Sequence, residues 1–235
     1  MIESSKALQE LFYQYTHLPL GGKFIVCPYW MNKLKKGLLG PLGGKGTPQQ
    51  IIQVVEEAAK KAGQDLNQMN EKEILAFMKR KRIGVDCSGF VFWMLNALDE
   101  EWGGDGLLND IPEVKGSFMP AGRADVKLLT SEKYTVPVEL AEVRVGDVVR
   151  MGRGSHILII LAITRIAGEI KALQYAHSSD KTLISGVHLG EIKVWDESQG
   201  LEKQQWQEVT QQGENYRNYF FPQEGDGLRR LKIWN

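Results

Sequence analysis

Residues 86–98 read DCSGFVFWMLNAL, and the fold turns on this stretch. Phe90, Val91, Met94, Leu95 and Leu98 fall on one side of a helix, and Phe92 and Trp93 widen that face. A helix apolar around most of its circumference belongs in the middle of a protein, covered on more than one side.

Working upstream, apolar positions Ala7, Leu8, Leu11, Phe12 and Tyr15 predict a helix within 2–16, ended by Gly21-Gly22. The Gly/Lys-rich residues 33–47 predict a loop. Thr47-Pro48 is an N-cap followed by Pro in the first turn, opening a helix through Ala62 that stops at Gly63. Asn70 and Glu73 are spaced as a capping box for a third helix, with Ile74, Leu75, Phe77 and Met78 apolar and Lys79–Arg82 at its end. Downstream, residues 99–122 predict a long Gly- and acid-rich loop of the kind that lines or covers sites.

After Pro137 the pattern changes to short β-branched segments at Asp147–Met151, His156–Ile163, Ile170–Tyr175 and Val187–Trp195, separated by Gly or polar turns. Consecutive short strands predict an antiparallel meander, so the fold class is α+β with helices first and sheet second. Trp206 and Gly227–Trp234 add edge structure.

The chain has 235 residues, enough for a core without disulfide staples. Its 29 basic and 29 acidic side chains cancel, so no electrostatic footprint for nucleic acid or an anionic membrane exists. The run Lys79-Arg80-Lys81-Arg82 is explained by the negative end of a helix dipole rather than by a nucleic-acid patch. Two cysteines, Cys27 and Cys87, form neither a disulfide scaffold nor a CxxC zinc pair. The longest apolar run near the middle, Ile157–Ile163, falls far short of the ~20 residues of a membrane helix. The first 22 residues lack a basic region followed by a continuous apolar stretch, so no signal peptide is expected and the default compartment is the cytoplasm, or the cell envelope or exterior if export is unconventional. Gly40–Thr47 departs from the phosphate-loop pattern, with Leu39 where a Gly is required and Gly46 after the Lys.

Asp86-Cys87-Ser88-Gly89 opens the apolar helix. A thiol at a helix N-terminus meets free backbone N–H groups and the positive dipole end, which favour its thiolate. The same N–H groups stabilise an oxyanion once the thiolate attacks a carbonyl. Such a cysteine needs a histidine, and four are present: His17, His156, His177 and His188. In a meander the start of one strand lies beside the end of the next, so His156 and His177 are expected side by side. His188 alternates with Val187 and Leu189 and is expected to face solvent; His17 has no evident partner. Cys27 belongs to the core, and the six Trp to packing, with Trp102 in the long loop a candidate to reach a substrate.

Gly84-Val85-Asp86-Cys87-Ser88-Gly89-Phe90, Val145-Gly146-Asp147-Val148-Val149, Ser155-His156-Ile157-Leu158 and Tyr175-Ala176-His177-Ser178-Ser179 occur in the order seen in the NlpC family. The chain resembles these papain-like cysteine peptidases of bacterial cell-wall peptides over about residues 83–195. The resemblance implies a papain-like α+β fold, with N-terminal helices followed by an antiparallel sheet packed on the nucleophile helix. It implies Cys87 as nucleophile, His156 as general base and acid, and His177 as the orienting third member. The family's tyrosine at the oxyanion site would be Tyr29, and Asp86 and Ser88 match positions near the substrate amine. It further implies hydrolysis of a γ-D-glutamyl–diamino acid bond in peptidoglycan stem peptides, with no metal or other cofactor.

The peptide substrate would then be the partner, with no nucleic acid and no membrane span. Residues 83–235 would form the catalytic domain, and residues 1–82 a helical region either separate from it or part of it. The spacings from Cys87 to His156 and from His156 to His177 exceed the family's usual ones, with 99–122 and the 164–170 turn as the expected insertions. Two other readings remain: a related amidase or acyltransferase on a non-wall substrate, and a non-catalytic binding module of the same fold, in which Cys87 is an inert buried thiol.

Overall fold

The computed structural model describes residues 1–31, 40–116 and 120–235. The chain begins with strand β1 (Ile2–Ser4) and helix α1 (Lys6–Thr16), continues into β2 (Leu18–Leu20) and β3 (Lys23–Ile25), and then enters α2 (Pro48–Lys61) and α3 (Glu71–Lys81). Helix α4 (Cys87–Glu101) follows, then the short helices α5 (Leu107–Asp110) and α6 (Val126–Leu129). The second half supplies β4 (Thr135–Pro137), β5 (Val148–Met151), β6 (His156–Ile166), β7 (Glu169–Ser179), β8 (Gly186–Lys193), β9 (Gln205–Trp206) and β10 (Gly227–Leu231). The class is α+β.

The helix ends follow local chemistry. Thr47 and Asn70 form full capping boxes with Gln50 and Glu73, satisfying backbone donors that a helix start leaves free. Asp86 caps α4 by accepting from Gly89 N at 2.7 Å.

Eight strands form one antiparallel sheet in the order β4-β10-β5-β6-β7-β8-β9, with β1 pairing the far half of β6 that the shorter β5 leaves open. Residues alternate along a strand, so the sheet feeds two cores. Ile157, Ile159, Leu161, Ala176 and Val187 pack with the helices, in one cluster that also holds Leu8, Ile51, Phe77, Phe90 and Leu95. Leu158, Ile160, Leu173 and Tyr175 point the other way, onto Trp206, Tyr216 and Phe220. Residues from 1–82 and from 83–235 therefore share the helix-side core. Among the described residues, no helix is long and apolar enough to cross a membrane.

Several local expectations change. The segment before α1 is a strand, because Ile2–Ser4 finds an open edge on β6. Gly21-Gly22 turns a hairpin between β2 and β3 rather than closing a helix; both glycines take the left-handed backbone that such a turn requires. Residues 99–101 continue α4, and α5 occupies part of the expected 99–122 loop, of which residues 117–119 lie outside the described ones. Residues 32–39 of the expected 33–47 loop also lie outside them. No insertion occupies 164–170: β6 and β7 run to Ile166 and from Glu169, joined at Ala167-Gly168. The extra spacing between His156 and His177 is strand length. The C-terminal segment is no edge, since β10 sits between β4 and β5.

Candidate active site

Cys87 is the first residue of α4 and is nearly inaccessible. Its flank is held by a largely buried ion pair: Lys45 Nζ lies 2.7 Å from Asp86 Oδ1 and donates to Ser88 Oγ at 2.7 Å. Ser88 Oγ also lies 3.0 Å from Asp86 Oδ1 and 3.2 Å from the Ala124 carbonyl oxygen. The backbone N–H groups of Ile157 and Ser88 lie near enough to the Cys87 sulfur to favour its thiolate. Ile157 follows His156 and shares a core cluster with Cys87, so the start of α4 packs against the start of β6.

On the sheet side, His156 Nε2 lies 2.9 Å from His177 Nδ1. The far nitrogen of His177 faces two groups, His188 Nε2 at 2.9 Å and Glu208 Oε1 at 3.2 Å. His188 is the direct cross-strand neighbour of His177, and its Nε2 approaches Glu208 Oε1 to 2.6 Å. The Glu208 carboxylate is anchored from behind by Tyr175 OH at 2.7 Å. Tyr175 reaches it by lying flat over Gly190, where a Cβ would come within 2.2 Å of the ring.

Burial dominates the electrostatics. It pushes the Cys87 thiol up to about 12, with the neighbouring Asp86 charge adding to it and Lys45 and the two backbone N–H groups opposing. The helix N-terminus therefore does not deliver a resting thiolate, contrary to the sequence-based expectation; loss of hydration outweighs the dipole. Burial likewise holds His156 well below and His177 below the ordinary imidazole value. Burial alone would raise Glu208, but hydrogen bonds from His177 and His188 hold it well below the usual carboxylate range. A neutral thiol thus faces neutral imidazoles backed by a carboxylate.

One proton arrangement satisfies the chain of contacts. His156 Nε2–H donates to His177 Nδ1, and His177 Nε2–H donates to Glu208. His156 Nδ1 is then left with a lone pair, the state a general base needs.

The structure joins His156 to His177 at 2.9 Å, and it sets the Tyr29 and Tyr216 phenols near enough to Cys87 to feel its charge. Burial raises the Tyr29 phenol, as do the neighbouring charges of Cys87 and Asp86, while its OH meets Met31 Sδ at 3.6 Å. Among the described residues, no hydrogen bond joins Cys87 Sγ to His156. Asp86 and Ser88 are buried and use their side-chain oxygens on Lys45 and the helix start. Asp147, quoted in the GD segment, forms a bidentate pair with Arg230 at 2.8 Å and accepts from Arg144 N.

Other expectations are corrected. His188 is buried rather than solvent-facing, because both faces of β8 are covered there. Trp102 caps the far end of α4, edge-on to Trp234, about 22 Å along the helix from Cys87 at 1.5 Å per residue. His17 stacks on Tyr13 at 4.0 Å. Cys27 is a core residue, as its apolar neighbours lead one to expect, and burial pushes its thiol up.

Sequence reasoning missed Lys45, Glu208 and Tyr216. Lys45 sat in the glycine-rich loop set aside as a failed phosphate motif, and its bridge to Val85 is what carries it to Asp86. Glu208 and Tyr216 lie in a polar segment without periodicity, and Tyr216 packs against both His156 and His177.

No family model, curated protein or solved structure matches the chain.

Proposed function

We propose that the chain is a papain-like cysteine hydrolase that cleaves peptide or isopeptide amides, with peptidoglycan stem peptides as substrate and a γ-D-glutamyl–diamino acid linkage as the bond. One observation carries the reading: Cys87 at the start of α4 packs in one core cluster with Ile157, directly after His156, whose ring is tied to His177 at 2.9 Å. A helix N-terminal thiol against an antiparallel sheet, beside a histidine with an orienting partner, is the arrangement that acyl transfer through a thioester requires.

His156 Nδ1 takes the Cys87 proton as the sulfur attacks the carbonyl carbon. Because burial keeps the resting thiol protonated, proton transfer accompanies attack rather than preceding it. The oxyanion is held by the Cys87 backbone N–H, with the Tyr29 phenol as a second donor. The imidazolium then protonates the leaving amine, and water activated by the same nitrogen releases the acyl group from sulfur.

The test is a substrate panel. Purified peptidoglycan, defined stem peptides and small acyl amides are incubated with the protein and the products read by mass spectrometry. Cleavage between D-glutamate and the diamino acid supports the reading; turnover of the small amides alone favours an amidase or acyltransferase with another substrate. The high thiol and the missing direct bond from Cys87 to His156 favour a second reading, a non-catalytic binding module of the same fold. Binding of stem peptide without any cleavage selects it.

A further inference from the structure

We propose that His177 Nε2, His188 Nε2 and Glu208 Oε1 form a binding site for a divalent transition cation, zinc by the chemistry of its donors. Two imidazole nitrogens and one carboxylate oxygen are a set that zinc takes with a fourth position left open. The three atoms stand 2.9, 3.2 and 2.6 Å from one another; the two histidines are buried and Glu208 is half-buried. With bonds of about 2.0–2.2 Å, a single ion reaches all three without moving the backbone.

The surrounding hydrogen bonds aim these donors inward. His188 Nδ1–H donates to the Gly186 carbonyl at 2.9 Å, which turns the lone pair of the neutral ring onto the other nitrogen. Tyr175 OH holds the opposite oxygen of Glu208, and His156 occupies the other nitrogen of His177. Thr182 Oγ1 donates to the Ile184 carbonyl and lies 3.0 Å from His188 Nε2, and the fourth position is left to water. His188 Nε2 and the Glu208 oxygen stand only 2.6 Å apart, close enough for one cation to bind both. A groove of about 380 Å³ has Leu183, Ile184, Leu189, Gly190 and Glu208 in its lining.

One consequence rests on the proposed hydrolase. An ion on His177 Nε2 leaves that ring's proton on Nδ1, where it donates to His156 Nε2. His156 then carries its own proton on Nδ1 and cannot act as base, so the metal-bound form is the inactive one.

The test uses the full chain stripped of metal by a chelator. Equilibrium dialysis against zinc chloride with elemental analysis is expected to give about one equivalent and a raised melting temperature. Cobalt(II) is expected to give a tetrahedral visible spectrum without a thiolate charge-transfer band, because no sulfur belongs to the site. His188→Gln and Glu208→Gln are expected to weaken zinc binding at least tenfold. Cys87→Ser is expected to keep about one equivalent, so the metal site stands or falls independently of the hydrolase. Absence of binding and of a melting shift overturns the proposal, as does a thiolate band or binding indifferent to both ligand substitutions. Should either variant fail to fold, the cobalt spectrum and melting shift of the unaltered chain still decide.

Discussion

His156 Nε2 stands 2.9 Å from His177 Nδ1, and this contact sets which nitrogen of His156 is free to accept a proton. Removing it releases the ring to rotate and to exchange tautomers. His177→Ala is expected to lower kcat on a stem peptide by roughly 10²-fold with little change in KM. His177→Asn, which keeps an acceptor near Nδ1, is expected to retain more of the rate. Steady-state kinetics on both variants checks this.

The histidine pair also makes a prediction about pH. Burial holds His156 and His177 below their unfolded value of about 6.5, so below that value the unfolded chain binds more protons than the native one. Their contribution to stability is therefore complete above about pH 6.5 and falls as pH drops through that value toward the lowered native ones. Glu208 acts in the same sense at lower pH: its contribution is present above about 4.3 and lost as pH falls below. Urea midpoints are expected to fall between about pH 6.5 and pH 5, and less steeply once both histidines are replaced by Asn. A flat profile in the unaltered chain contradicts the assigned burial.

A thiol pushed up to about 12 alkylates slowly. At neutral pH Cys87 is expected to react with iodoacetamide at least tenfold more slowly than a free thiol of pKa about 8.5. Peptide mapping by mass spectrometry measures it, and a rate above that of the free thiol would show a thiolate already formed.

Lys45 neutralises Asp86 in a setting where both are largely buried. Lys45→Met leaves an uncompensated carboxylate at the start of α4 and is expected to cost about 3–5 kcal/mol in chemical denaturation. Double replacement with Asp86→Asn is expected to recover part of that loss, because the stranded charge is gone.

Gly190 leaves the space in which the Tyr175 ring lies. Gly190→Ala forces the ring aside, with an expected cost of about 1–3 kcal/mol, and frees the outer oxygen of Glu208. Thermal melts and the kinetics of the variant should therefore both shift.

The helices α2, α3 and α4 were legible because caps and apolar spacing agreed, and β5 to β8 because Gly-bounded β-branched runs are short-range signals. Strand β1 was not, since three residues, Ile2–Ser4, carry no pattern and exist only because β6 offers an edge. His188 was misread for a physical reason: alternation distinguishes an inner from an outer face, and at His188 both Val187 and its neighbour are covered. The pairing of His156 with His177 follows from meander geometry. Glu208 does not, because its contact with His177 joins positions far apart in sequence through the polar segment after β9, where nothing local marks one glutamate among several.

The central claim is that Cys87 is the nucleophile, and one comparison tests it most directly. The unaltered chain and Cys87→Ala are incubated with purified peptidoglycan, and the released fragments are identified by mass spectrometry. The account predicts stem-peptide cleavage by the first and none above background by the second, with both folded by circular dichroism. Equal cleavage by the two proteins, or none by either, contradicts it.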